Sequence, residues 1–243
     1  MGTKFSTRIW VSVVGIASIF LGSKGYADTV ISVADFGLKP DTRENAVAYV
    51  QKAIEACRGK EPVTLVFPEG RYDFWPQYAH EKNYYETNTY DVFPKRLAML
   101  FEGLHNITVD GNGSQFVMHD RIQPITVENC DGVTLKNFSI DWDIPLTAQA
   151  RVTKVGSDFF EIGINVLESP YIIEDGKLVF VGEGWKSALG SMIEFESDTH
   201  FVVPGTGDLV LGWNWGDYTA VSPRYGIVRL SRKGGFERYQ IGR

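Results

Sequence analysis

Between Leu104 and Asp143 the chain repeats very short apolar alternations, ITV, FVM, ITV, VTL and FSI, each broken by Gly, Asn or Asp. Ile107 and Val109 return 26 positions later as Val133 and Leu135, and Ile125 and Val127 form another inward pair between them. A fixed period of that size marks a solenoid. Alternate residues of a strand face the same way, so strands of about three residues must be joined by sharp corners. Gly111, Asn112, Gly113, Asn129 and Asn137 supply them, because Gly and Asn tolerate the left-handed backbone that β-branched residues resist. The pattern predicts coils of a parallel β-helix. An antiparallel meander uses the same turn residues and is the alternative.

Upstream of this stretch, Val30 to Phe36 alternates as a strand, and Asp41 and Thr42 are good N-caps for a following helix. Ala46, Val47, Val50, Ile54 and Cys57 fall on one helical face opposite Gln51, Lys52 and Glu55, with Gly59 at the stop. Such a helix would plug the N-terminal end of the solenoid, whose first coil otherwise exposes apolar side chains and unpaired strand edges. Val63 to Phe67, a Pro68-Glu69-Gly70 turn and Arg71 to Phe74 make the first coil. Trp75 to Pro94 mixes aromatic and polar residues without a period and reads as a long loop.

From residue 147 onward the strands lengthen and the turns become those of hairpins. Gly156-Ser157-Asp158 separates Ala148 to Val155 from Phe159 to Ile164, and Asp175-Gly176 separates Tyr171 to Ile173 from Leu178 to Val181. Met192 to Glu196, Phe201 to Val203, Leu209 to Trp213 and Tyr225 to Leu230 continue the series. The expected fold is therefore all-β: a right-handed parallel β-helix with an N-terminal capping helix over residues 28–146, interrupted by a small antiparallel β-barrel over 147–243. The alternative is a β-helix that continues with longer coils. The end of the sequence, from Leu230 to Arg243, offers no helix, cap or closing strand, and a C-terminal truncation is expected from it.

Composition narrows the function classes. With 44% hydrophobic residues in 243 the chain can bury a substantial core, and its net charge of −6 disfavours nucleic acid and, more weakly, a polyanionic substrate. Lys4 and Arg8 precede the apolar run Ile9 to Leu21, with Gly25 and Ala27 before Asp28. Residues 1–27 thus read as a signal peptide cleaved after Ala27, too short for a stable membrane span. The mature chain is expected to be exported to the periplasm or the extracellular space of a bacterium. Cys57 and Cys130 exclude a disulfide framework by count and are expected to be free, buried thiols.

The strongest candidate chemistry is Asp141-Trp142-Asp143. Phe138 and Ile140 set the phase, so Trp142 points inward and both aspartates outward. Two such carboxylates have backbones about 6.6 Å apart on one face, near the roughly 6.5–9.5 Å at which an inverting glycosidase holds its acid and base. Sugar binding by the pair, or a structural role at the corner, are the other readings. Trp75, Tyr84, Tyr85 and Tyr90 could line a sugar cleft or pack the loop. His80 and Glu81 are adjacent, but no further His or Cys stands at metal-ligand spacing, so neither metal nor cofactor is assigned.

VADFG, the amphipathic helix and LVFPEGRY together resemble the opening of the pectate-lyase-like superfamily of right-handed β-helices. The run PKRLAMLFEGLHNITVDGNGSQFVMHDRIQPITVENCDGVTLKNFSIDWDIPLTAQARV resembles the N-terminal part of glycoside hydrolase family 110, with NFSIDWDIPLTAQA the most diagnostic piece. That resemblance implies a β-helix interrupted by a barrel, which releases terminal α-1,3-linked galactose from blood group B-type and linear glycans, with inversion and without a metal. It implies catalytic aspartates on coils after the barrel, to which no position here corresponds. Asp141 and Asp143 remain weak catalytic candidates, and they join Trp75, Tyr84 and Tyr85 as substrate-binding candidates. A polyuronate lyase on the same scaffold and a non-catalytic glycan-binding β-helix are the alternatives, and homo-oligomerisation is left open.

Overall fold

The computed structural model describes residues 29–84, 93–204, 209–210, 218–232 and 239–242. The expected signal peptide, Tyr85 and Tyr90 lie outside these residues. Among the described residues the chain is mostly β, and no helix is long and apolar enough to cross a membrane.

The expected first strand is shorter than its alternation. Strand β1 (Thr29–Ser32) gives way to a 3₁₀ turn over Val33–Phe36, because Ser32 Oγ accepts from the Ala34 amide and the Asp35 carboxylate accepts from the Ser32 amide. This reciprocal capping satisfies donors that a continuing strand would need partners for. Helix α1 (Val47–Cys57) buries Val47, Val50, Ala53, Ile54 and Cys57, the predicted face. Its cap is neither Asp41 nor Thr42. Asp41 and Arg43 adopt left-handed conformations and turn the chain once more before the helix, whose N-cap is Ala46 without a side-chain bond, while Asn45 Oδ1, one residue earlier, accepts from the Val47 amide at 3.1 Å.

The strands β2 (Val63–Val66), β3 (Arg71–Phe74), β4 (His80–Tyr84), β5 (Phe93–Glu102), β6 (His105–Met118), β7 (Gln123–Glu128) and β8 (Asp131–Trp142) follow. They build three parallel stacks. In the first, β1, β2 and the leading halves of β6 and β8 lie in register, Thr29 beside Val63, Ile107 and Val133. In the second, β3 and the trailing halves of β6 and β8 align Phe74, Met118 and Trp142. In the third, β5 pairs with β7, Met99 beside Ile125 and Phe101 beside Val127. The segment expected as a loop after Trp75 is partly strand, since β4 pairs antiparallel with the free edge of β5.

The corners fall where the sequence placed them, with Asn112, Asn129 and Asn137 at φ 50°, 50° and 60°. Gly111 serves differently. Its φ is ordinary, but a Cβ there would lie 2.5 Å from Phe138 Cβ, so close approach of the next layer demands glycine. Phe67, Tyr72, Phe74 and Phe116 are fully buried between the stacks, and the Phe138 ring lies 4.8 Å from that of Phe116. Val127, Leu135 and Ile140 continue the inward columns of Phe101, Val109 and Phe116 but are 45, 39 and 38% exposed. Among the described residues no strand pairs with the outer edges of β7 and β8.

Beyond β8 the pairing becomes antiparallel. Strands β9 (Ala150–Val155), β10 (Phe159–Ile164), β11 (Tyr171–Glu174), β12 (Lys177–Val181), β13 (Lys186–Ala188), β14 (Ser191–Met192), β15 (Leu209–Val210), β16 (Thr219–Arg224) and β17 (Ile227–Ser231) form separate small sheets. Asp175 and Gly176, at φ 51° and 69°, close the β11–β12 hairpin. Tyr225, expected to start a strand, is instead the 83% exposed tip of the β16–β17 hairpin, since Gly226 at φ 75° turns the chain there. Phe160, Ile162, Leu178, Ala220, Val228 and Leu230 form this region's own core.

Both cysteines are free. Cys57 is buried as expected. Cys130 is only partly covered, because it sits at the corner between β7 and β8, where its thiol donates to the Phe101 and Glu128 carbonyls at 3.3 Å each.

Candidate functional site

The second stack continues one position past its strands. Trp75, His119 and Asp143 follow Phe74, Met118 and Trp142 in the three layers, and the ladder persists, His119 N donating to the Phe74 carbonyl at 2.9 Å and Asp143 N to that of Met118 at 3.1 Å. Residues at equal positions in successive layers sit face to face. Trp75 and His119 accordingly stack, with ring centroids 3.6 Å apart and planes 7° from parallel.

On the outer wall around this column lies a connected ion network. Asp73 is a β3 residue whose side chain has no solvent-exposed surface. It accepts from Arg71 through Nε at 3.0 Å and Nη2 at 2.5 Å, and it faces His119 Nε2 at 2.8 Å. The other ring nitrogen, His119 Nδ1, lies 2.7 Å from Glu183, which reaches across from the β12–β13 turn. Arg71 Nη2 also donates to Asp143 at 2.7 Å, with the exposed guanidinium of Arg43 at 4.0 Å. Burial pushes the Asp73 carboxyl up, yet hydrogen bonds from Arg71 and His119 outweigh it and hold it below the ordinary value. Arg71 is held above its ordinary value, first by Asp73 and, against burial, also by Asp143.

The same turn makes further contacts with the strand stacks. A Cβ on Gly184 would lie 2.6 Å from Asp120 Oδ2, and Arg121 stands over the Trp185 ring at 5.6 Å. The barrel region is thus joined to the stacks by Glu183, Gly184 and Trp185 against His119, Asp120 and Arg121.

Of the residues singled out in the sequence, Asp141 and Asp143 do point outward and Trp142 packs toward the core, its Nε1 donating to the Asp120 carbonyl at 3.2 Å. The two carboxylates have different partners. Asp143 is bound to Arg71, while Asp141 is exposed and accepts from the Trp142 amide at 2.8 Å. Trp75 has one ring face covered by His119. Tyr84 lies on a different wall, donating to Glu128, which also accepts from Lys82 at 2.7 Å. An open groove of about 400 Å³ runs over α1 beside Glu44, Tyr49, Lys52 and Tyr78, away from the network. Arg71, Asp73, His119 and Glu183 were not legible in the sequence, since no motif spacing links them and only the register of the layers brings them together.

Residues 148–243 match the family model described as GLAA-B beta-barrel domain I. The chain is 58% identical over 205 residues to an α-1,3-galactosidase B of Bacteroides thetaiotaomicron, covering 84% of this chain and 33% of that protein. It is 36% identical over 169 residues to an α-1,3-galactosidase A of Shewanella woodyi, covering 69% of this chain and 28% of that protein. An α-1,3-galactosidase B of Parabacteroides distasonis is 34% identical over 211 residues, 84% of this chain and 34% of its own length. The chain spans about a third of the length of the curated relatives it matches.

Proposed function

We propose, for a chain homologous to the α-1,3-galactosidases over the third of their length that it shares, that it is the scaffold portion of an exported glycoside hydrolase removing terminal α-1,3-linked galactose from glycans. The observation that carries this reading is the 58% identity to an α-1,3-galactosidase B over most of the chain. At such identity a shared fold and site geometry are expected, whereas likeness of fold alone would leave the chemistry open. The same kinship does not favour a polyuronate lyase or a purely glycan-binding module.

Within this reading the three parallel stacks are the first coils of a right-handed β-helix with α1 as its cap. Residues 28–146 are the coils and residues 147–243 the barrel set into them, and residues 1–27 direct export. The parallel register of Thr29, Val63, Ile107 and Val133 supports the helix. An inverting acid and base flank the bond they cleave, while Asp143 is tied to Arg71 and Asp141 accepts from the Trp142 amide. Asp141 and Asp143 are therefore assigned to the wall of the scaffold rather than to acid–base chemistry.

The test is a chimera in which this chain's matched span replaces that of the Bacteroides thetaiotaomicron protein. The expected outcome is retained release of galactose from an α-1,3-galactosyl disaccharide, the β-anomer appearing first by NMR. A folded chimera that releases no galactose would overturn the proposal.

A further inference from the structure

Tyr78 is a large aromatic residue at a position whose backbone favours glycine. Ala79 N donates to the Pro76 carbonyl at 3.1 Å, so residues 76–79 close a turn, and Tyr78 stands third in it with φ 69°. Gly is the usual residue there, because a Cβ strains that conformation. Side chains at the start of α1 and within it fasten the turn. Gln51 Nε2 donates to the Tyr78 carbonyl at 2.9 Å, and Asn45 Nδ2 donates to the Gln77 and Trp75 carbonyls at 2.9 and 3.3 Å. Asn45 Oδ1 accepts from the Trp75 amide at 3.2 Å. All of these bonds hold main chain, and Tyr78 itself is left 74% exposed. A strained conformation of this kind persists only where its surroundings over-determine it, and such positions cluster at ligand clamps.

The fastened ring borders the open groove over α1, which Glu44, Asn45, Ala48, Tyr49 and Lys52 also line. Glu44 and Lys52 are exposed, and among the described residues neither side chain has a hydrogen-bond or ion-pair partner. One acceptor and one donor of opposite charge therefore stand at the groove, with no net charge between them to select an ion. The volume of about 400 Å³ falls at the lower end of the roughly 300–1,000 Å³ of small-ligand sites and is too small to seat a folded partner. An aromatic face beside an unpaired donor and acceptor matches a pyranose, which offers an apolar C–H face to the ring and hydroxyls to the polar groups.

We propose that Tyr78, Tyr49, Glu44 and Lys52 form an ancillary glycan-binding site, in which the Tyr78 ring stacks on a neutral hexose and Glu44 and Lys52 engage its hydroxyls. The site rests on the reading of the chain as the scaffold of an enzyme acting on α-galactosyl glycans. It gives that scaffold a point of its own for holding the substrate, apart from the ion network around Asp143. Its role is to anchor a glycan and not to cleave it.

The purified chain is titrated with an α-1,3-galactosyl disaccharide, and ligand-observed NMR reads both binding and the integrity of the sugar. Saturable binding in the millimolar range or tighter is expected. Tyr78→Phe keeps the ring and the binding. Tyr78→Gly relieves the backbone while removing the ring, so it folds, and it is expected to weaken binding by about tenfold. Lys52→Ala is expected to weaken it several-fold, whereas Tyr225→Ala, which removes an 83% exposed tyrosine at the β16–β17 hairpin tip, leaves it unchanged. Absence of saturable binding would overturn the proposal, as would binding that Tyr78→Gly leaves intact. Either failure leaves galactose release by the chimera untouched, so the ancillary site and the hydrolytic reading can fail separately.

Discussion

Asp73 has a fully covered carboxylate, so its stability rests on Arg71 and His119 rather than on water. Removing one partner of a buried charge pair leaves the other uncompensated, at a cost of about 3–5 kcal/mol. Arg71→Met is therefore expected to lower unfolding stability by that order in urea titration, while Lys136→Met, which breaks an exposed pair with Asp110, stays within about 0.5 kcal/mol. Equal effects would mean that the Asp73 network is no more than a surface ion pair. Cys57 gives a second residue-scale test. Burial, against the nearby charge of Lys60, pushes its thiol from 9.0 to about 11. The folded chain then holds a proton that the unfolded chain releases, so this contribution is intact below about pH 8.5 and is lost as pH rises toward 11. The predicted outcome is negligible reaction of Cys57 with a disulfide reagent at pH 8 until the chain is unfolded, and a flatter alkaline limb of stability in Cys57→Ala.

At the scale of elements, the packing between layers decides which glycines and aromatics matter. Gly111→Ala forces a Cβ to within 2.5 Å of Phe138 Cβ and 2.7 Å of the Asn137 carbonyl, an overpacking expected to cost about 1–3 kcal/mol. Gly113→Ala meets no atom within 4 Å but sits at φ 84°, so only backbone strain of about 1–2 kcal/mol is expected. Phe116 is fully buried among Phe67, Phe74 and Phe138, and Phe116→Ala is expected to cost about 3–5 kcal/mol by chemical denaturation. The layered strands were legible because apolar periodicity and Asn corners are local signals. The position of Asn137, for example, follows from the break between Leu135 and Phe138 alone. The true start of α1 was not legible, because two left-handed residues ahead of it override the capping preference of Asp41 and Thr42. Pairing of β4 with β5 was also hidden, since His80 to Tyr84 has no apolar alternation and is held by the edge it adds to.

At the scale of the whole molecule, the network at the junction explains why the site was harder to read than the fold. His119 and Glu183 are 64 residues apart, and each is unremarkable in its own segment. Their meeting depends on how the barrel turn docks on the stacks, a property of no local window. The outer layer carries another global consequence. Val127, Leu135 and Ile140 present apolar side chains beside edges of β7 and β8 with which no strand among the described residues pairs, and such edges template association. The chain of 243 residues is expected to self-associate as its concentration rises, and light scattering after gel filtration checks this. A monomer throughout the micromolar range would contradict it.

In the proposed function these residues form a scaffold, and the outward aspartates Asp141 and Asp143 belong to its wall. The most direct measurement is galactose release from an α-1,3-galactosyl disaccharide by the purified chain, beside the Bacteroides thetaiotaomicron α-1,3-galactosidase B as positive control. The predicted result is no release above background, identical for the wild type, Asp141→Asn and Asp143→Asn. Turnover by the wild type that either substitution abolishes would contradict the account and make Asp141 and Asp143 the catalytic acid and base.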